Sequence, residues 1–90
     1  MDDLNKPFRN PDYRLETVDG DLMLFHPAKT QIHHLNPTAA LIWQLCDGTR
    51  TIGELILLLQ ESYPEAKGEI PNDVRSTLQD IKKKGCMNLA

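Results

Sequence analysis

Between Leu35 and Thr51 the chain reads Leu-Asn-Pro-Thr-Ala-Ala-Leu-Ile-Trp-Gln-Leu-Cys-Asp-Gly-Thr-Arg-Thr, and no other stretch constrains the fold as much. Asn36 is a good helix N-cap, and Pro37 suits the first helical position, where its missing N–H costs nothing. Gly48 can adopt the left-handed conformation that ends a helix. Between these signals, seven of the nine residues from Thr38 to Cys46 are apolar, and they include the only tryptophan, Trp43. A helix that is apolar nearly all round must be covered on most sides. The remaining elements are therefore expected to lie around this one.

Upstream, Tyr13–Val18 alternates, with Tyr13, Leu15 and Thr17 on one face and Arg14, Glu16 and Val18 on the other. Asp19-Gly20 is a tight-turn signal, and Leu22–His26 reads as the returning strand. Pro27-Ala28-Lys29 breaks that strand, and Thr30–Leu35 gives a third. A lone hairpin is marginal, so three antiparallel strands packed on helices are expected. Downstream, Thr51 and Glu54 form a capping box. The helix it opens runs from about Ile52 to Tyr63, with Ile52, Leu55, Ile56, Leu59 and Tyr63 on one buried face. Leu57 and Leu58 lie off that face and read either as its broad margin or as a partner or homodimer patch. Pro64–Gly68 is a loop. Ile70, Val74, Thr77, Leu78 and Ile81 then mark a third helix from near Pro71 to Lys84, stopped by Gly85. Lys82, Lys83 and Lys84 complement its dipole. The expected class is α+β: a three-stranded antiparallel sheet followed by three helices, winged-helix-like with the wing first.

Ninety residues make one small domain. It is expected over 13–90, after a flexible arm over 1–12 that frays unless Phe8 anchors it. The net charge of −3 speaks against a nucleic-acid binder. A winged-helix DNA-binding regulator is the alternative reading, but its third helix would present Asn72 and Asp73 where bases are read. Cys46 and Cys86 make neither a disulfide framework nor a zinc signature, and read as reduced thiols in a cytoplasmic protein. No run suits a signal peptide or a membrane span.

No catalytic constellation is evident. The glycines are scattered, and neither Ser62 nor Ser76 sits in a nucleophile context. His26, His33 and His34 invite a metal reading, but neighbouring strand residues point to opposite faces, so His33 and His34 do not share an ion readily. The more informative feature is the third strand. Lys29–His34 has no internal proline to block pairing, and an exposed edge templates another strand. The third helix would offer Val74 and Leu78 as an apolar floor, with Arg75, Gln79 and Lys82 as a polar rim. An extended peptide could dock there by β-augmentation, the alternative being that the N-terminal arm or a dimer mate covers the edge.

The run Leu35-Asn36-Pro37-Thr38-Ala39, then Ile42-Trp43, Asp47-Gly48-Thr49, Thr51, Glu54-Leu55, Asp73-Val74 and Lys84-Gly85, resembles the PqqD family, the pyrroloquinoline-quinone biosynthesis protein D or RiPP recognition element family. The resemblance covers roughly residues 13–89. It implies a non-catalytic, cofactor-free peptide chaperone. Such a protein binds the leader of a ribosomally made precursor peptide as an added strand and presents it to a modifying enzyme, such as a radical S-adenosylmethionine protein, or to a leader peptidase. Carried over by position, the strand contacts are Gln31, Ile32, His33 and His34, and the helix contacts are Val74, Arg75, Leu78, Gln79 and Lys82. A structural subunit of an enzyme complex, using the Leu57–Leu58 surface, is a further alternative.

Overall fold

The structure, a computed structural model, describes residues 1–90. Its elements are strands β1 (Pro7–Arg9), β2 (Arg14–Val18), β3 (Asp21–His26) and β4 (Gln31–Leu35), helices α1 (Pro37–Leu45), α2 (Ile52–Ser62) and α3 (Ile70–Lys83), and a final strand β5 (Met87–Leu89). A short 3-10 turn, Pro64–Ala66, precedes α3. The expected sheet and three helices are present in the expected order. Two short strands at the ends are additions, and they form a separate antiparallel ladder, β1 with β5. None of the helices is long and apolar enough to cross a membrane.

The main sheet has the order β2-β3-β4, entirely antiparallel. Asp19 and Gly20 both have positive φ, 52° and 83°, as the mirror-image two-residue turn requires. Such a turn closes on a hydrogen-bonded pair, here Val18 and Asp21, and bonding then alternates along the ladder. Asp21, Met23 and Phe25 therefore turn their amides and carbonyls to β2, while Leu22, Leu24 and His26 turn theirs to β4. On β4 the partners are Leu35, His33 and Gln31, which leaves the main-chain groups of Ile32 and His34 directed at the open edge.

Thr30 closes the β3–β4 loop at φ 53°, a left-handed value that a β-branched residue adopts at a cost of roughly 1–2 kcal/mol. Asn tolerates that conformation. Thr30→Asn should therefore raise stability by about 0.5–1 kcal/mol and the melting temperature by a few degrees in a thermal scan.

Asn36 caps α1 as expected, its Oδ1 accepting from the Ala39 N–H at 2.7 Å. The helix stops earlier than Gly48, however. Cys46 is its C-cap, and the Cys46 N–H turns back to the Trp43 carbonyl. Gly48 takes its positive φ two residues later, in a turn held by Asp47, whose Oδ1 accepts from the Thr49 N–H and hydroxyl. Those bonds, the side-chain one first, hold the Asp47 carboxyl below its usual range. The Thr51–Glu54 capping box forms in both directions. Tyr63 is not on the buried face of α2. It ends the helix and is 45 % exposed, because the last turn runs past the core.

The core joins Leu24 from the sheet to Ile42, Trp43 and Cys46 of the α1 region, Ile52, Leu55, Ile56 and Leu59 of α2, and Ile70, Val74, Leu78 and Ile81 of α3. At the end of α3 the Cys86 N–H bonds the Ile81 carbonyl and the Gly85 N–H bonds that of Lys82, the paired bonds of a Schellman stop. This turns the chain into β5 and buries Cys86 and Met87 completely.

The segment read from the sequence as an arm is bonded along its length. Lys6 and Ala90 exchange main-chain bonds, and Pro7–Arg9 pairs with β5. On its other side the Arg9 N–H reaches the Cys46 carbonyl and the Gly48 N–H reaches that of Pro7. Further back, the carbonyls of Asn5 and Asp3 accept from the Ile52 and Gly53 amides. Those two amides belong to the first turn of α2, where no intrahelical partner exists.

Candidate functional site

Of the four β4 residues expected to meet a peptide, alternation along the strand puts two on each face. Gln31 and His33 face inward. The Gln31 Oε1 accepts from the Tyr13 hydroxyl at 2.9 Å, and the Tyr13 ring lies between His33, at a centroid distance of 6.0 Å, and His26, at 5.0 Å and edge-on. The His33 Nε2 is shielded from solvent without a hydrogen-bond partner. Ile32 and His34 face outward, and both are exposed. They are also the residues whose main-chain groups point to the free edge.

The α3 residues divide differently. Val74 and Leu78 are core residues, 1 % and 0 % exposed. Leu78 therefore offers no surface, and Val74 forms only the base of a cleft edged by Thr38, Tyr63 and Asp73. The apolar stripe expected as a ligand floor is spent on α1 and α2. Arg75, Gln79 and Lys82 are exposed on one flank of the helix. Arg75 is held by the chain's own Asp3, its Nε and Nη2 donating to the two carboxylate oxygens at 3.1 and 2.6 Å. That bond holds the Asp3 carboxyl below its usual range. Both partners are nearly half exposed, so the pair fixes geometry more than it stabilises. Gln79 and Lys82 line a shallow depression with Met1 and Lys83. Ile32 lines a different depression, so strand and helix residues are not gathered into one pocket.

That second depression went unread in the sequence. Glu16, Val18, Met23, Phe25 and Ile32 surround a cleft of about 330 Å³ on the outward face of the sheet. A continuous apolar run such as Leu22–Phe25 does not reveal which face is covered, although the Arg14/Glu16/Val18 alternation could have placed Val18 there. His26, read from the sequence beside His33 and His34, is buried. It is 7 % exposed, accepts the Lys29 N–H at Nδ1 from 3.2 Å, and has its Nε2 4.0 Å from an Asp12 carboxylate oxygen.

The thiols are not poised for chemistry. Burial pushes Cys46 up to about 12, and its Sγ donates to the Ile42 carbonyl. Cys86 is also raised by burial. Protonated, enclosed thiols are poor nucleophiles. Leu57 is 60 % exposed and Leu58 half-buried, beside Arg50, Glu54 and Glu61.

Comparison with known proteins follows the same outline. A family profile described as "Coenzyme PQQ synthesis protein D (PqqD)" matches residues 21–87. A "PqqA binding protein" of Klebsiella pneumoniae (strain 342) is 47 % identical over 45 residues, which is 50 % of this chain and 48 % of that protein. Another, from Rhodopseudomonas palustris (strain BisB5), is 41 % identical over 49 residues, or 54 % and 48 % of the two chains. One from Stutzerimonas stutzeri (strain A1501) is 44 % identical over 45 residues, or 50 % and 48 %. The chain thus spans about half the length of the curated relatives it matches. No solved structure matches it.

Proposed function

Because the chain belongs to the PqqD family, we propose that it is a non-catalytic adaptor that binds a ribosomally made precursor peptide of the PqqA kind by adding it as a fourth strand to β4. The observation that carries this reading is the free edge at Ile32 and His34. Their main-chain groups have no partner within the sheet, and no proline, bulge or inward charge blunts them. Main-chain bonds there would supply affinity, and the alternating side chains of the guest would supply selectivity. Gln31 and His33 then face the guest's inward side chains. Arg75, Gln79 and Lys82 form a second, polar contact along the exposed flank of α3, with Val74 and Leu78 as the packed layer beneath it.

We read the sheet as the wing of a winged helix put to peptide binding. The bound peptide would be handed to a modifying enzyme of the radical S-adenosylmethionine type or to a leader peptidase. The exposed Leu57 surface is where we place that enzyme or a second copy of the chain. We place the protein in the cytoplasm.

The test is a titration of the isotope-labelled chain with the PqqA peptide of Klebsiella pneumoniae. The Ile32 and His34 amides are expected to shift most, with protection from exchange on binding. Ile32→Pro removes one edge donor without touching the β3 ladder, and should weaken binding at least about tenfold. Equal affinity in the folded Ile32→Pro variant would overturn the docking strand named here.

A further inference from the structure

We propose that the outward face of the sheet selects the peptide: a strand docked on β4 must place an apolar side chain beside Ile32, at the rim of the apolar cleft that Ile32 shares with Phe25. This rests on strand addition at β4 and deepens it.

An antiparallel sheet with one covered face is ordinarily apolar inward and polar outward. Around the buried Leu24 the pattern of this sheet is partly inverted. His26, Gln31 and His33 point inward, while Val18, Met23, Phe25 and Ile32 point outward. These four apolar residues wall the cleft of about 330 Å³, with Glu16 as its polar member. Val18 and Ile32 are 50 % and 51 % exposed.

Ile32 ties this face to the docking edge. Its amide points to the open side of β4, and its side chain is the wall of the cleft on that same strand. Arg14, Phe25 and Ile32 lie directly across from one another on β2, β3 and β4. A fourth strand extends this row, and its residue beside Ile32 comes within about 5 Å of the Ile32 Cβ. The next outward row is Glu16, Met23 and His34, polar at both ends. The guest pattern is therefore an apolar residue beside Ile32 and a polar one two positions away beside His34, with the residue between them facing His33.

A second copy of the chain fits this face poorly. Three strands of five or six residues present roughly 15 × 18 Å, so packing two such faces buries on the order of 500 Å². Stable dimers bury more than about 1,200 Å². One or two side chains of a single strand match the scale of the cleft.

The experiment uses the full chain and the same Klebsiella pneumoniae PqqA peptide, with each apolar peptide residue changed in turn to threonine. Ile32→Thr keeps a β-branched strand residue and its amide, so it exchanges apolar contact for a hydroxyl without changing the edge. It is expected to weaken binding about tenfold, as is one of the peptide changes, and the two together should cost no more than either alone. Phe25→Thr, whose main chain bonds only β2, should weaken binding several-fold. If Ile32→Thr and Phe25→Thr bind within twofold of the parent while Ile32→Pro does not bind, strand addition stands and the selecting face is overturned. If the parent chain does not bind the peptide at all, both readings fall. Dimers in sedimentation that Ile32→Thr disperses would assign the face to a second copy and overturn the proposal.

Discussion

A chain lacking residues 1–11 should melt at least 10 °C below the full chain, or show no cooperative transition. The segment looks dispensable because it is polar, proline-bearing and N-terminal. Its carbonyls and amides, however, are bonded on two sides, to β5 and to the stretch Cys46–Gly53. Pro7 is fully buried, and Met87, opposite Arg9 in the ladder, is 0 % exposed. Without β1, Met87 loses its cover and β5 its only partner strand. Exposing one Met side chain costs about 1.5–3 kcal/mol, which in a domain of this size amounts to roughly 10 °C. The Ile52 and Gly53 amides also lose the Asn5 and Asp3 carbonyls. A synthetic peptide of residues 1–11 added in trans should restore part of the loss. An unchanged melting temperature would show that the ladder contributes nothing.

Leu78→Ala should cost about 2–5 kcal/mol, because a fully enclosed leucine leaves both lost transfer energy and a cavity. The same substitution separates two roles with one sequence signature. If Leu78 is core alone, the peptide affinity of the folded variant, measured well below its melting point, stays within about twofold. If Leu78 were a ligand floor, affinity would fall while stability held. Gln79→Ala on the exposed flank is the control, with stability expected to stay within about 0.5 kcal/mol.

That ambiguity explains which parts of the molecule could be read in advance. Helix α1 was legible because Asn36 and Pro37 act locally, through a cap and a fixed φ. The β2–β3 hairpin was legible because Asp19-Gly20 and the alternation of Tyr13–Val18 are also local. The α3 stripe was found at the right spacing, but Ile70, Val74, Leu78 and Ile81 repeat identically whether they meet a core or a guest. The β1–β5 ladder carried no signal: three-residue strands have no period, and Pro7 argues against strand structure. Its partners are residues from the opposite end of the chain. The outward apolar face was hidden because Leu22–Phe25 is apolar without interruption, leaving inside and outside to be decided by the Asp19-Gly20 turn and by what α1 covers.

The ladder that joins the two ends also orders events in time. The hairpins of the sheet and the turns between helices bring together residues close in sequence, and such contacts form early. Phe8, by contrast, has its ladder partner at Asn88, beyond all three helices. During synthesis β1 can therefore meet Cys46 and Gly48 first, while its β5 side waits until α3 is complete. The arrival of β5 is the closing step: its pairing with β1 seals the hydrophobic interior over Met87.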